Sequence, residues 1–170
     1  MSIPLAKLNA LDASTFTQVL AQVFEHSPWI PERAAAARPF ASVAQLHAAL
    51  CAVLKAASAA EQLALIRAHP ELAGRAAVRN ELSPASAIEQ KGAGLDRCSP
   101  EEFARLTAAN AEYQARFGFP FIIAVKGLSR ADILDALTER LHHEREQELA
   151  CAIRQIERIA AFRLADLISD

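Results

Sequence analysis

His69-Pro70-Glu71-Leu72 places a titratable ring at a stiff junction of the chain. An imidazole, with an ordinary pKa of about 6.5, suits proton transfer near neutrality. The proline beside it restricts the backbone that carries the ring. The same position also suits a histidine resting on a helix C-terminus. Ser86, Glu89 and Gln90 form a second set. Separations of three and four residues put them on one helix face. A hydroxyl, a carboxylate and an amide together can hold a polar heterocycle, although the same residue types make an ordinary solvated face. Arg163, inside the apolar stretch Ile159 to Leu164, is a third candidate. A guanidinium grips a carboxylate with two parallel hydrogen bonds, and it also serves as a helix-end or snorkelling cation.

Metal chemistry finds little to use. A di-iron bundle needs two Glu-x-x-His motifs, and Glu139-Arg140-Leu141-His142 is the single copy. His142 and His143 point about 100° apart on a helix, and they read as surface residues or a helix break. The sequence contains no Gly-rich phosphate loop and no Gly-x-Ser-x-Gly elbow. None of these patterns points to a metal site.

These residues need helices to position them. Alanine abundance, five glycines and few β-branched runs favour helix. Phe16, Val19, Leu20, Val23 and Phe24 mark one helical face, with Asp12 or Ser14 as its cap and Ser27-Pro28 as its end. Pro31 to Ala37 reads as a short helix. Ser42 with Gln45, and Ser58 with Glu61, make capping boxes; the second opens a helix that ends near His69. Glu71 to Leu82 has weak periodicity. Ser83-Pro84 opens a helix that stops at Gly92 or Gly94. Ser99-Pro100-Glu101-Glu102 opens one that ends at Gly118, and Ser129 with Asp132 opens another. A last long helix carries Leu149, Ile153, Ile156, Ala160, Leu164 and Leu167.

Phe119 to Val125 breaks the pattern. It is apolar throughout, with Pro120 near its start and Gly127 after it. A lone strand has no partner for its backbone groups, so those groups must be satisfied elsewhere, and a polar ligand is one candidate. The expectation is an all-α, single-domain, bundle-like fold spanning residues 1–170, with an irregular apolar segment at about 119–127 threading the core.

With 170 residues, 52% of them hydrophobic and 22% charged, the chain has the size and apolar content of one domain. The net charge of −2 lacks the basic excess of a nucleic-acid or anionic-membrane binder. No apolar run reaches the roughly 20 residues of a membrane span. Met1 to Leu5 lacks the pattern of a secretory signal, and Ile168-Ser169-Asp170 is not a peroxisomal one. Cys51, Cys98 and Cys151 are scattered and odd in number, which fits a reducing compartment. Cys51 and Cys151 read as small core hydrophobes on helices. Arginine outnumbers lysine 14 to 4, a bias shared with high-GC bacterial proteomes. A cytoplasmic location is expected.

Four motifs, in order along the chain, carry a family resemblance. They are His69-Pro70-Glu71-Leu72-Ala73-Gly74; Ser86-x-x-Glu89-Gln90; Asn110-x-x-Tyr113-x-x-Arg116-Phe117-Gly118-Phe119-Pro120-Phe121-Ile122-Ile123-Ala124-Val125-Lys126-Gly127; and Ile159-Ala160 with Arg163-Leu164. Together they resemble the 2-oxo-4-hydroxy-4-carboxy-5-ureidoimidazoline (OHCU) decarboxylases of urate degradation. The likeness covers nearly the whole chain, and Arg-Phe-Gly-Phe-Pro-Phe is its most specific part. It departs from the family at His142-His143, where a polar turn residue such as Asn is more usual.

The resemblance implies an all-helical fold and cofactor-free removal of carbon dioxide from OHCU to give (S)-allantoin. It implies His69 and Glu89 as catalytic residues. Pro70, Ser86, Glu89, Gln90, Phe121, Ile122, Ile123, Ala124, Val125 and Arg163 are implied to bind substrate. Glu89 either fixes the His69 tautomer or holds the substrate's N–H groups. A homodimer is implied too, and apolar residues crowded around Phe16 to Phe24 and Phe117 to Val125 agree with a buried interface. A helical regulatory domain that has lost activity would be expected to lack His69, Glu89 or Arg163, and all three are present. A metal-dependent hydrolase would need the missing second Glu-x-x-His.

Overall fold

A computed structural model describes residues 2–73 and 81–170. The weakly periodic stretch expected from Glu71 to Leu82 falls mostly on 74–80, outside the described residues. Helices dominate: α1 (Leu5–Asn9), α2 (Ala13–Leu20), α3 (Trp29–Ala34), α4 (Val43–Ala56), α5 (Ala59–Ala68), α6 (Pro84–Gly92), α7 (Pro100–Phe117), α8 (Arg130–Arg140) and α9 (Arg145–Leu167). The all-α expectation holds. One parallel pair, β1 (Ile3–Pro4) with β2 (Ile168–Ser169), joins the two ends of the described chain. Among the described residues, no single helix is long and apolar enough to cross a membrane.

The helix starts follow local chemistry. Asp12 accepts from Thr15 N–H at 3.0 Å, and Ser99 and Ser129 close full capping boxes with Glu102 and Asp132. Ser58 and Glu61 also bond reciprocally. At Ser42 the box is displaced by one residue, because Gln45 reaches back to Ala41 N–H at 2.6 Å. Each such bond satisfies a donor that the first helical turn leaves orphaned. Gly118 ends α7 at φ +80°, a conformation that costs a residue bearing Cβ.

The chain forms two compact units. Unit one comprises residues 1–65 and 157–170, with Leu8, Phe16, Leu20, Phe24, Leu46, Leu50, Ala160 and Leu164 buried in its core. Here α2 stops at Leu20, short of the Ser27-Pro28 end expected from the apolar face. Val23 and Phe24 are still buried, but from a turn. Arg163 supplies the reason: its Nη1 donates to the carbonyls of Gln22 and Val23, at 3.0 and 3.5 Å, so those groups have partners without further helix.

Unit two, residues 66–156, is built around α7, α8 and the first part of α9. Its aromatic centre is Tyr113, whose ring lies 4.5 Å from Phe117, 5.3 Å from Phe121 and 6.0 Å from Phe119. Phe119 leads into the apolar strap and Phe121 belongs to it; from Pro120 to Val125 the strap runs without helix, turn or bend. Its side chains are buried, with Ile123 partly so. The strap threads the core of this unit, as its composition implied.

Beneath the strap lies a cluster of buried polar side chains. Glu148 has no exposed surface. Its Oε2 accepts from Arg140 Nε at 2.9 Å and Nη2 at 2.8 Å, and from the Tyr113 hydroxyl. Its Oε1 meets His143 Nδ1 at 2.6 Å. His142 and His143 do mark a helix break, between α8 and α9. His143 is not simply a surface residue, since it is part of this cluster. Burial pushes the Glu148 carboxyl up, but Arg140 and Tyr113 outweigh that and hold it below its ordinary value. Burial and the neighbouring carboxylate push the Tyr113 phenol well above its usual range.

Glu148→Gln would leave the Arg140 cation buried without its counter-charge. The expected loss is about 3–5 kcal/mol at pH 7, read by urea unfolding. Because the folded pKa of Glu148 lies below the unfolded one, its contribution is complete above the ordinary value of 4.5 and is lost as pH falls. Wild-type stability should therefore drop more steeply than the variant's between about pH 5 and pH 3.

Candidate active site

His69 follows α5 immediately and is buried, 7% exposed. Its own N–H closes the helix on Ile66 carbonyl at 3.3 Å. Pro70 then turns the chain out of helical geometry, as the sequence implied. The next three residues are irregular, and two amide side chains hold them. Gln90, on α6, accepts from Ala73 N–H at 2.9 Å and donates to the Glu71 carbonyl at 3.4 Å. Asn110, on α7, donates to the Leu72 carbonyl at 2.9 Å. Ala73 sits at φ +49°, an unfavourable region for alanine, and the Gln90 bond secures it there.

Ser86 and Gln90 share the inward face of α6, and both are buried. Glu89 is half-buried on the same helix. Ile88 points the other way and is 73% exposed. The i, i+4 spacing therefore gave the correct face. The structure also shows what Gln90 touches, namely the backbone that follows His69-Pro70. Its partners are main-chain atoms, which no side-chain pattern can reveal.

In the strap, two backbone groups have side-chain partners. Arg140 Nη1 donates to the Ile122 carbonyl at 2.7 Å. Gln155 Oε1 accepts from Ala124 N–H at 3.0 Å. The Ala124 N–H is thus already engaged within the chain.

Arg163 lies in unit one. It is buried, with Nη2 on Glu25 Oε1 at 3.0 Å and Nη1 on the Gln22 and Val23 carbonyls. Neither a snorkelling cation nor a simple helix-end charge describes it. Sequence reasoning missed Glu25, Arg140, Glu148 and Gln155. Glu148 and Arg140 did leave a trace: each is a charge on an apolar stripe, Glu148 with Ala152 and Ile156, and Arg140 with Ile133 and Leu137. Among the described residues, no three His, Cys, Asp or Glu side chains converge as metal ligands.

A helical chain that buries a histidine at a clamped His-Pro junction, beside a helix with an inward hydroxyl, has the parts of a small-molecule acid–base enzyme. The model of the OHCU decarboxylase family matches residues 9–165, and the chain belongs to that family. It is 45% identical over 163 residues to the uric acid degradation bifunctional protein PucL of Bacillus subtilis, covering 96% of this chain and 32% of that protein. It spans about a third of that relative. It is 38% identical over 167 residues to the OHCU decarboxylase of Haloferax volcanii, covering 98% of this chain and 97% of the relative. Among solved structures, the crystal structure of an (S)-allantoin synthase superposes with a TM-score of 0.77 at 27% identity, over 98% of this chain and 54% of that one. A crystal structure of OHCU decarboxylase in the presence of (S)-allantoin shares the fold, with a TM-score of 0.70 at 24% identity, over 85% of this chain and 93% of that one.

Arg163→Lys preserves the charge, but one ammonium cannot reproduce the fork that holds two carbonyls and a carboxylate. The expected cost is about 1–3 kcal/mol. Calorimetry should record a fall in melting temperature of roughly 2–4 °C for each kcal/mol lost.

Proposed function

We propose that this chain decarboxylates OHCU to (S)-allantoin, without a cofactor, in the cytoplasm. The reading is supported by the family match over residues 9–165, the span that contains the quoted motifs. The bond from the ring carbon to the carboxylate breaks and carbon dioxide leaves. The electron pair it leaves passes into the C=N bond of the neighbouring ureido-bearing carbon and leaves an enol. The enol's hydroxyl proton is lost as the product C=O forms and the ureido-bearing carbon is protonated. One proton, delivered to one face of the ring, then sets the configuration of the product.

His69 moves that proton, either by taking the substrate hydroxyl proton or by returning one to carbon. Ser86 and strap N–H groups meet the developing negative charge, the kind of preorganised donor set that dominates many enzymes. Apolar strap side chains keep water from the leaving carboxylate. Glu89 orients the imidazole or accepts from substrate N–H groups. Pro70 and Gln90 belong to the site through the His69 loop that they fix. Arg163 keeps the substrate-holding part that the resemblance gives it. In the Arg163→Lys variant, a rise in apparent KM measures that part separately from the fall in melting temperature.

His69→Ala tests the assignment. OHCU decays unaided to racemic allantoin, so circular dichroism of the product reports the enzyme alone. The expected loss of enzymatic rate is about 10²–10⁴-fold, the usual worth of general acid–base catalysis, with the fold retained in the far-ultraviolet spectrum. A variant that still makes optically active product at most of the wild-type rate would refute the role.

A homodimer is also proposed, on the family resemblance. The apolar residues from Phe16 to Phe24 and from Phe117 to Val125 that suggested an interface are mostly buried within the chain itself. Among the described residues, the large apolar side chains that remain on the surface are Ile88 and Phe103. Light scattering at micromolar concentration decides it: twice 18.4 kDa is expected, and a stable monomer would overturn the dimer while leaving the decarboxylase reading intact.

A further inference from the structure

We propose that Arg140 and Gln155 are positioning residues for the reaction. By holding Ile122 and Ala124 on one side of the strap, they turn the N–H groups of Ile123 and Val125 to the other side as paired donors to the substrate. The inference rests on the reading that the strap lines the substrate site.

The geometry is that of an extended chain. The N–H and C=O of one residue point to the same side, and those of the next residue point to the opposite side. The strap has neither helix, turn nor bend from Pro120 to Val125. Arg140 takes the Ile122 carbonyl at 2.7 Å and Gln155 takes the Ala124 N–H at 3.0 Å. These two residues are two apart, so their polar groups share a side. Ile123 and Val125 must present theirs to the opposite side. Among the described residues, no acceptor takes the N–H of Ile123 or Val125. Val125 is buried and Ile123 partly exposed; a backbone donor lining a site needs an acceptor, and a bound substrate would supply one.

Arg140 is a rigid anchor for this purpose. Its Nε and Nη2 are fixed on Glu148, and its guanidinium lies 4.5 Å from the Phe121 ring centroid. Glu148 is in turn held by Tyr113 and His143. Four side chains thus lock one carbonyl, and Gln155 locks the next group along. The two free N–H groups lie about 6.6 Å apart, from the rise of an extended chain. That is too wide for both oxygens of one carboxylate. It suits two separate acceptors on a substituted five-membered ring, such as a ring carbonyl and a ureido carbonyl.

Two measurements test this. The first is kinetic, with OHCU as substrate. Gln155→Leu removes the acceptor at a partly exposed position, whereas Gln155→Glu keeps an oxygen for Ala124 N–H. Misaimed donors weaken transition-state stabilisation more than binding. Gln155→Leu should therefore lose about tenfold in kcat with KM within about twofold, and Gln155→Glu should recover to within about threefold of wild type. A merely structural role would lower the melting temperature and leave kcat and KM of the folded enzyme unchanged. Unchanged kcat in Gln155→Leu, or equal losses in both variants, would overturn the proposal.

The second needs no variant. In amide spectra of the wild-type protein titrated with (S)-allantoin, the Ile123 and Val125 resonances should shift and gain protection from exchange, while that of Ala124 keeps the protection it has. Saturable shifts elsewhere in the site, with Ile123 and Val125 unmoved, would overturn it. If the wild-type chain neither turns over OHCU nor binds (S)-allantoin, it is the proposed function that fails.

Discussion

A carboxylate with no exposed surface must be answered by donors on every side, and Glu148 draws its answers from three places in unit two. Tyr113 comes from the middle of α7, Arg140 from the end of α8 and His143 from the break that follows. Removing any of these partners leaves charge or dipole uncompensated in a low-dielectric interior, which costs more than the partner contributes. Such a cluster is a poor source of net stability compared with a packed apolar core. Its value is that it admits few alternative arrangements. Once Glu148 is buried, the axial position of α8 against α7 is fixed, and so is the height at which Arg140 can reach Ile122.

The same constraint acts on every irregular segment of a helical protein. Helix interiors satisfy their own backbone groups, but segments between helices do not. Here long polar side chains take over. Asn9 brackets Phe40 through both its N–H and its carbonyl, at 2.9 and 2.8 Å. Arg163 takes the carbonyls after α2. Gln90 and Asn110 hold 71–73, and Arg140 and Gln155 hold the strap. Two of these four clamped segments carry or adjoin residues with a proposed catalytic part. Clamping the backbone there fixes His69 and the strap without placing further side chains against the substrate.

What was legible in the sequence follows from the range of each interaction. Caps are local, so Asp12, Ser58, Ser83, Ser99 and Ser129 marked helix starts correctly. The strap was legible because the wholly apolar run around Pro120 is too short for a core helix, and a lone strand has no partner for its backbone groups. The end of α2 was not, because Val23 and Phe24 continue the apolar spacing while the backbone turns. Periodicity reports which side chains are buried, not whether the chain between them is helical. The β1–β2 pair depends on contacts between opposite ends of the chain and leaves no local signal. At the site, the inward face of Ser86 and Gln90 could be read from spacing. The attachment of Gln90 to Ala73 could not, since any residue supplies the same N–H.

Where charge is kept also bears on the proposed chemistry. A cation placed directly on the departing carboxylate would stabilise the substrate at least as much as the transition state, and such binding adds nothing to the rate of the chemical step. Arg140 is close behind the strap, but Glu148 neutralises it, so its net field at the far side is small. What reaches that side is the orientation it imposes on peptide dipoles. Neutral N–H donors fixed in advance gain most when charge moves toward them, and they need no reorganisation as it does. With the strap lining the site, the ion pair beneath it would act on the reaction through geometry, and the apolar side chains of Phe121, Ile122 and Ala124 would keep its charges out of contact with the substrate.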